Sequence, residues 1–336
     1  MNNDLSTKAF VLVSDYVKPN CNEDVSDAIQ ELILNNPGRV LYFPDGEYLL
    51  SKPICTPANP AHAVSLQLSN FAVIKAMDTW NSDEALIRLG AAEPFNTIMV
   101  NGSNYYLSGG VIDGNNVANG VSIDSGRETR VENLSIKHTK IGLHIKLGAN
   151  SGSSDADICN VNIVGPGTTD TIGVLIEGMD NTLTNMRIAY VHTGVKIVRG
   201  GNYLRNIHPL GSSAPSFYPG SVAFRDLSGS NWYDFCYSDQ YETGFYFKGG
   251  CAPICHNCFC YWYKTLETGE IGFKTDGQFN ALLSNCKVTL RGDAPNANFL
   301  VGAEGGYGVI ENPFFNEDLS IDKCYLNYLK GRVLHP

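Results

Sequence analysis

One short pattern repeats between Thr129 and Leu210. The chain reads VENLSIKHTKIGLHIKLG, ICNVNIVGPGTTDTIGVLIEG, LTNMRIAYVHTGVKIVRG and LRNIHPLG. Each unit holds an asparagine among alternating apolar residues, and a glycine then opens a second alternating segment. The asparagines are Asn133, Asn160, Asn185 and Asn206, at uneven steps of 21 to 27 residues. Asp234, Asn257 and Asn285 extend the column, with Lys323 as a degraded last member. The Gly-led segments begin at Gly120, Gly142, Gly173, Gly194, Ser221, Gly244 and Glu270. Self-similarity at this period means stacked supersecondary units.

Both segments have period two, so each carries one apolar and one polar face. No helical pattern lies between them. A coil is therefore strand, turn, strand, turn, stacked at roughly 4.8 Å per rung. An asparagine repeated at one bend can bond its own turn and the next asparagine in the stack. These features predict an all-β chain: a single-stranded right-handed parallel β-helix with an N-terminal capping helix. Asp24 caps that helix, which carries Val25, Ala28, Ile29, Leu32 and Ile33 on one face and stops at Pro37-Gly38. One domain is expected over 1–336. Residues 1–60 form the cap and opening strands, 61–290 the coils, and 291–336 an irregular loop and C-terminal cap.

The segments DVSDAIQELI (24–33), VLYFPDGEYLL (40–50) and GGVIDGNN (109–116), with the asparagine column, resemble the pectin-lyase-like β-helix proteins. The resemblance is to the branch that opens with a pectate-lyase-3-type segment, and it covers nearly the whole chain. It implies the fold and an activity on polysaccharides. By resemblance to polygalacturonases, the Gly-led sheet lines the sugar groove. The polygalacturonase Asp-Asp pair, Gly-His-Gly and Arg-Ile-Lys motifs are absent here, so that family's catalytic set does not carry over.

Formal charge is −10, from 24 basic and 34 acidic residues, which disfavours nucleic acid or an anionic membrane as partner. No apolar run reaches membrane-spanning length. The start MNNDLSTKAF shows no signal peptide; the resemblance implies a secreted or periplasmic protein if a signal was removed. No cofactor is expected. Ten cysteines include the CAPICHNCFC run. Aligned to the asparagine column, Cys255, Cys258, Cys260, Cys286 and Cys324 fall on inward positions. They read as core thiols and not as zinc ligands, because alternate residues of one strand cannot surround an ion tetrahedrally.

Chemistry is expected on the outward positions of the Gly-led strands. The third-position column reads Ser122, His144, Leu175, Lys196, Ala223, Tyr246, Gly272. The fifth-position column reads Asp124, Lys146, Glu177, Val198, Arg225, Lys248, Lys274. Asp124 and Glu177 lie two rungs apart, about 9.6 Å by rung arithmetic, near the roughly 6.5–9.5 Å carboxyl separation of inverting glycosidases. The expected catalytic set is Asp124, Glu177 and His144. Lys146, Lys196, Arg225, Tyr246, Lys248 and Lys274 are expected to hold the glycan, and Asp239 and Glu242 are alternative acids. A uronic-acid lyase using the cationic stripe, and a non-catalytic carbohydrate-binding solenoid, are the competing readings. Exposed aromatics would stack on sugars; the column test places Trp232 inward and Tyr233 outward. The outward face of the ladder strand is expected to carry Ser135, Asn162, Arg187, His208, Cys236, Phe259 and Lys287.

Overall fold

The computed structural model describes residues 10–93, 106–148, 153–264, 269–291, 298–303, 305–315 and 329–330. Lys323 and Cys324 lie outside them. The chain divides into two compact units, Met1–Val161 and Asn162–Pro336. Both are built from parallel strands stacked as in a β-helix, the fold class read from the repeat. No helix among the described residues is long and apolar enough to cross a membrane.

In the first unit each coil has three strands, not two. Val40–Phe43, Ser65–Leu68, Tyr106–Ser108, Arg130–Glu132 and Asp157–Cys159 form one run of rungs. Gly46–Leu50, Ala72–Ala76, Val111–Asp113 and Ser135–Lys137 form a second. Ile54–Pro57, Ala85–Ala92, Asn119–Ile123 and Ile141–Ile145 form the Gly-led third. The extra strand arises at the asparagine. Asn133 sits at φ +58° and bends the chain between Arg130–Glu132 and Ser135–Lys137; asparagine tolerates this left-handed conformation better than most residues. Asn160 Nδ2 donates to Asn133 Oδ1 at 3.0 Å, the expected ladder bond.

Helix α1, Ser26–Asn35, buries Ile29, Leu32 and Ile33, while Ala28 faces outward. Val25 is its N-cap. Asp24 instead joins the helix start to the first coil: its carboxylate accepts from Ser26 N at 3.0 Å, Ser51 N at 3.0 Å and both serine hydroxyls. Gln30 fixes the first Gly-led strand, giving its amide to Cys55 O and accepting from Cys55 N. Partial burial would raise the Asp24 carboxyl, but the bonds from Ser26 and Ser51 outweigh it and bring it to about 2. The unfolded value is about 3.9. A depressed folded value stabilises fully above the unfolded one and is lost as pH falls through the folded one. Acid titration of unfolding is therefore expected to show a loss between about pH 4 and 2 that is missing in Asp24→Asn; coincident curves would remove Asp24 from the cap.

In the second unit the Gly-led rungs are Ile172–Ile176, Thr193–Ile197, Val222–Asp226, Thr243–Phe247, Ile271–Gly277 and Asn298–Ala303. The registers Thr193↔Val222 and Thr243↔Ile271 place Ala223 and Gly272, not Ser221 and Glu270, at the head of the glycine column. Glycine serves here because neighbouring backbones come close: a Cβ at Gly194 would lie 2.5 Å from Ala223 O and 2.7 Å from Pro209 Cβ. Ala223 itself is fully buried, contrary to its expected outward place.

The asparagine column continues through Asn185, Asn206, Asn257 and Asn285, at φ between +52° and +55°. Asn206 donates to Asn185 at 2.9 Å. Asp234 is not a member. Asp234 pairs with His256, so Phe235, at φ +53°, lies level with Asn257. That one-residue shift reverses three orientations: Tyr233 is buried, Trp232 is 40% exposed, and Cys236 is buried, with Tyr237 outward. Residues 298–303 and 305–315, expected to be irregular, continue the coils, and Asn312 donates to Asn285 at 3.3 Å.

A second ladder runs inside this unit. Asn202 donates to Asn231 Oδ1 at 3.1 Å and accepts from Asn181 at 2.9 Å, all three fully or almost fully buried. Asp226, also fully buried, accepts from Asn231 Nδ2 at 2.9 Å, Tyr233 OH at 3.0 Å and the Ser228 amide and hydroxyl. Phe224, Phe245 and Phe273 stack on successive rungs with centroids 4.5 and 5.1 Å apart. Cys255, Cys258, Cys260 and Cys286 line the same core, as the column test placed them. Their thiols are free. Cys258, Cys260 and Cys286 donate to backbone carbonyls, those of Tyr233, Gly272 and Cys255, at 3.5 Å each. Burial pushes the Cys255 thiol up to about 11 and also raises Cys258 and Cys260.

Candidate glycan-binding face

The Gly-led sheet presents its outward residues at every second position, because side chains alternate along a strand. In the second unit the register sets Leu175, Lys196, Arg225, Tyr246, Lys274 and Val301 side by side on six rungs. Arg225 and Lys274, assigned by counting to the fifth-position column, thus join Lys196 and Tyr246 in one file. The Arg225 guanidinium lies over the Tyr246 ring, 5.3 Å from its centroid. Tyr246 OH donates to Asp276 Oδ2 at 2.6 Å, and Asp276 also accepts from Gly249 N. Those two bonds hold the Asp276 carboxyl below its ordinary value. Lys248, two residues past Tyr246, is exposed. A predominantly acidic chain therefore carries four cations on one strip of one sheet.

At the upstream edge of the strip lies an open cleft of about 280 Å³, lined by Asp170, Thr171, His192, Thr193, Lys196 and Arg225 among others. Thr171 Oγ1 accepts from His192 N at 2.9 Å, and the His192 ring meets Pro219 O at 3.0 Å and Phe217 edge-on. Asp170, at φ +62°, occupies the turn into Ile172–Ile176. Glu177 follows the same strand and is half-buried.

In the first unit the register is Arg88, Ser122, His144, with Asp124 and Lys146 two residues on. Asp124 is enclosed by partners. Arg88 donates to it through Nε at 3.2 Å and again through the guanidinium end, Lys146 Nζ at 3.0 Å, and Ser122 Oγ also donates. Lys146 also reaches Glu84 at 2.6 Å. Burial would raise the Asp124 carboxyl, but Arg88, Ser122 and Lys146 outweigh it and lower it. It is kept as a carboxylate with both oxygens occupied, which does not suit a general acid. Asp124 and His144 belong to the first unit, and Glu177 to the second. Lys146 spends its charge on Glu84 and Asp124.

The alternative acids separate. Glu242 accepts from Gly220 N at 2.9 Å, at the turn into Thr243–Phe247. Asp239 lies on the ladder side, where it accepts from Tyr237 OH at 3.2 Å and lies 3.7 Å from His208 Nε2. Burial and that carboxylate raise the Tyr237 hydroxyl. The aromatic file on this side does not offer itself to sugars. His208, Tyr237 and Phe259 stack face to face at 4.1 and 4.9 Å, and the Lys287 ammonium caps Phe259 and Phe314 at 5.1 and 4.6 Å. The faces a sugar ring would cover are already used.

No protein-family model matches the chain, and no curated protein matches it. Solved structures do. A tailspike protein of E. coli bacteriophage HK620, solved in complex with a pentasaccharide, matches with a TM-score of 0.68 at 10% identity. The match covers 98% of this chain and 65% of that one, so the chain spans just under two thirds of the tailspike. A family 28 exopolygalacturonase of Yersinia enterocolitica matches at 0.58 and 12%, over 97% and 77% of the two chains. The Streptococcus pneumoniae surface adhesin PfbA matches at 0.56 and 11%, over 97% and 96%. At these identities the likeness is one of fold. Parallel β-helix proteins similar to this chain thus include a glycoside hydrolase, a glycan-binding tailspike and an adhesin.

Proposed function

We propose that this protein binds an acidic polysaccharide along the outer face of its Gly-led sheet. The observation that carries the reading is the in-register file Lys196, Arg225, Tyr246, Lys274, with exposed Lys248 beside it. Cations at a rung spacing of roughly 4.8 Å fit a chain that bears a carboxylate on successive sugars. Arg225 offers a planar fork suited to bidentate carboxylate recognition, and the lysines act as point charges.

Hydrolysis of that glycan is the second reading. It is favoured by Asp170 and His192, an acid and a titratable base lining the same cleft as Lys196 and Arg225. In this reading the acid–base work falls to the cleft, with Glu177 as a further carboxylate on the same sheet. Asp124 is left to the ion network that occupies it.

Binding to polygalacturonate and alginate, with neutral galactan as control, tests the proposal. The double variant Lys196→Ala/Arg225→Ala is expected to weaken acidic-glycan binding about tenfold, from two half-buried charge contacts of up to roughly 1 kcal/mol each. Binding should also weaken with salt. Equal affinity for galactan, or an unchanged double variant, would sink it. Reducing ends and unsaturated-product absorbance, read in the same samples, separate hydrolase, lyase and binding protein.

A further inference from the structure

The ladder corner of the second unit carries a feature that the Gly-led face does not use. At one rung the asparagine column holds a phenylalanine, Phe235, in the left-handed conformation at φ +53° and 53% exposed. A bulky aromatic is a poor occupant of that backbone region, and asparagine a good one. Outliers of this kind cluster at binding and catalytic sites.

Phe235 also interrupts the amide chain. Asn206 donates down to Asn185, but the next rung offers it a ring in place of an amide. Where the ladder stops, a concavity of about 520 Å³ opens, lined by Thr184, Asn185, Arg205, Asn206 and Phe235. Its polar groups are two carboxamides, a hydroxyl and a guanidinium. Arg205 is near Asp234, with Nε 3.5 Å from the carboxylate, so its charge is largely offset. The Phe235 ring meets His256 only edge-on, at 6.4 Å and 73°. Unlike Tyr237, Phe259 and Tyr246, it has no stacked partner or cation over a face among the described residues.

We infer that this corner is a second glycan subsite, taking one ring of a neutral oligosaccharide with its apolar face on Phe235. The sugar hydroxyls bond the amides of Asn185 and Asn206, which donate and accept, together with Thr184 and Arg205. Offset charge favours a neutral sugar here, in contrast to the cationic file on the other sheet. A pocket combining one aromatic surface with a few convergent polar groups is the usual composition of a small-molecule site.

Saturation-transfer NMR and calorimetry with β-1,4-linked tetrasaccharides of glucose, mannose and xylose test the site. At least one is expected to bind the full chain saturably. Phe235→Asn restores an asparagine to the column, so it is expected to fold with an unchanged or higher Tm while weakening that binding at least tenfold. Asn206→Ala should weaken it similarly. Lys196→Ala/Arg225→Ala should leave it unchanged, so failure here is distinct from failure of the acidic-glycan reading. No saturable binding by any of the three probes, or full binding by a well-folded Phe235→Asn, overturns the assignment.

Discussion

Phe245→Ala is expected to cost the protein about 3–5 kcal/mol of unfolding free energy, the usual range for deleting a buried phenyl ring. Phe245 is fully buried and stacks against both Phe224 and Phe273, with Tyr233 edge-on at 5.8 Å. Its removal leaves a hole bounded by rings on neighbouring rungs. Those rings are held by the parallel ladder on either side, so the cavity cannot collapse far. Denaturant unfolding of wild type and variant, followed by circular dichroism, measures the loss. A cost below about 1 kcal/mol would mean that the stack is not the core described.

Asp226→Ala is expected to cost about 3 kcal/mol or more, for a different reason. Little apolar volume is lost. Instead Asn231 Nδ2, Tyr233 OH and two Ser228 donors lose their shared acceptor inside the fold. Each buried donor left unmet costs roughly 1–3 kcal/mol. Asn231 also accepts from Asn202, so the inner ladder loses its anchor. Asp226→Asn keeps an acceptor and is expected to lose less than the alanine variant in the same denaturation experiment. Equal losses for the two would point to the carboxylate charge in place of the bond network.

Much of this fold was legible because one residue type marks one bend. Asparagine at Asn133, Asn160, Asn185, Asn206, Asn257 and Asn285 serves a left-handed turn that few side chains tolerate, so its recurrence reported backbone geometry. The reading slipped where that link broke. At Phe235 the bend is kept without its marker, and the polar Asp234 beside it drew the alignment one residue early. With period two, one residue of slip exchanges inside and outside, which misplaced Trp232, Tyr233 and Cys236 together. At Ala223 a methyl replaces the usual glycine, so the register of Arg225 was miscounted. Asn312 was missed because the stretch before it, from Arg291, broke the rhythm of the repeat. The buried trio Asn181, Asn202 and Asn231 had a visible signal, an asparagine just before each new strand, overshadowed by the more regular outer ladder. The candidate site was less legible than the fold. A column of charges could be counted, but the pairing of Arg88 with Asp124 joins residues 36 positions apart and needs the structure.

The file of unpaired thiols in the second unit's core sets how this protein ages. Folded, Cys255, Cys258, Cys260 and Cys286 are shut from oxidant, and burial holds Cys255, Cys258 and Cys260 protonated. Once the coils open, several thiols within a short stretch of chain meet solvent together, at ordinary acidity and free to cross-link. No disulfide formed in that state belongs to the native core. Each excursion in air is thus a chance of permanent loss, and the working lifetime follows the rate of opening more than the free energy of folding. Handling under reductant turns the same excursion back into a reversible one.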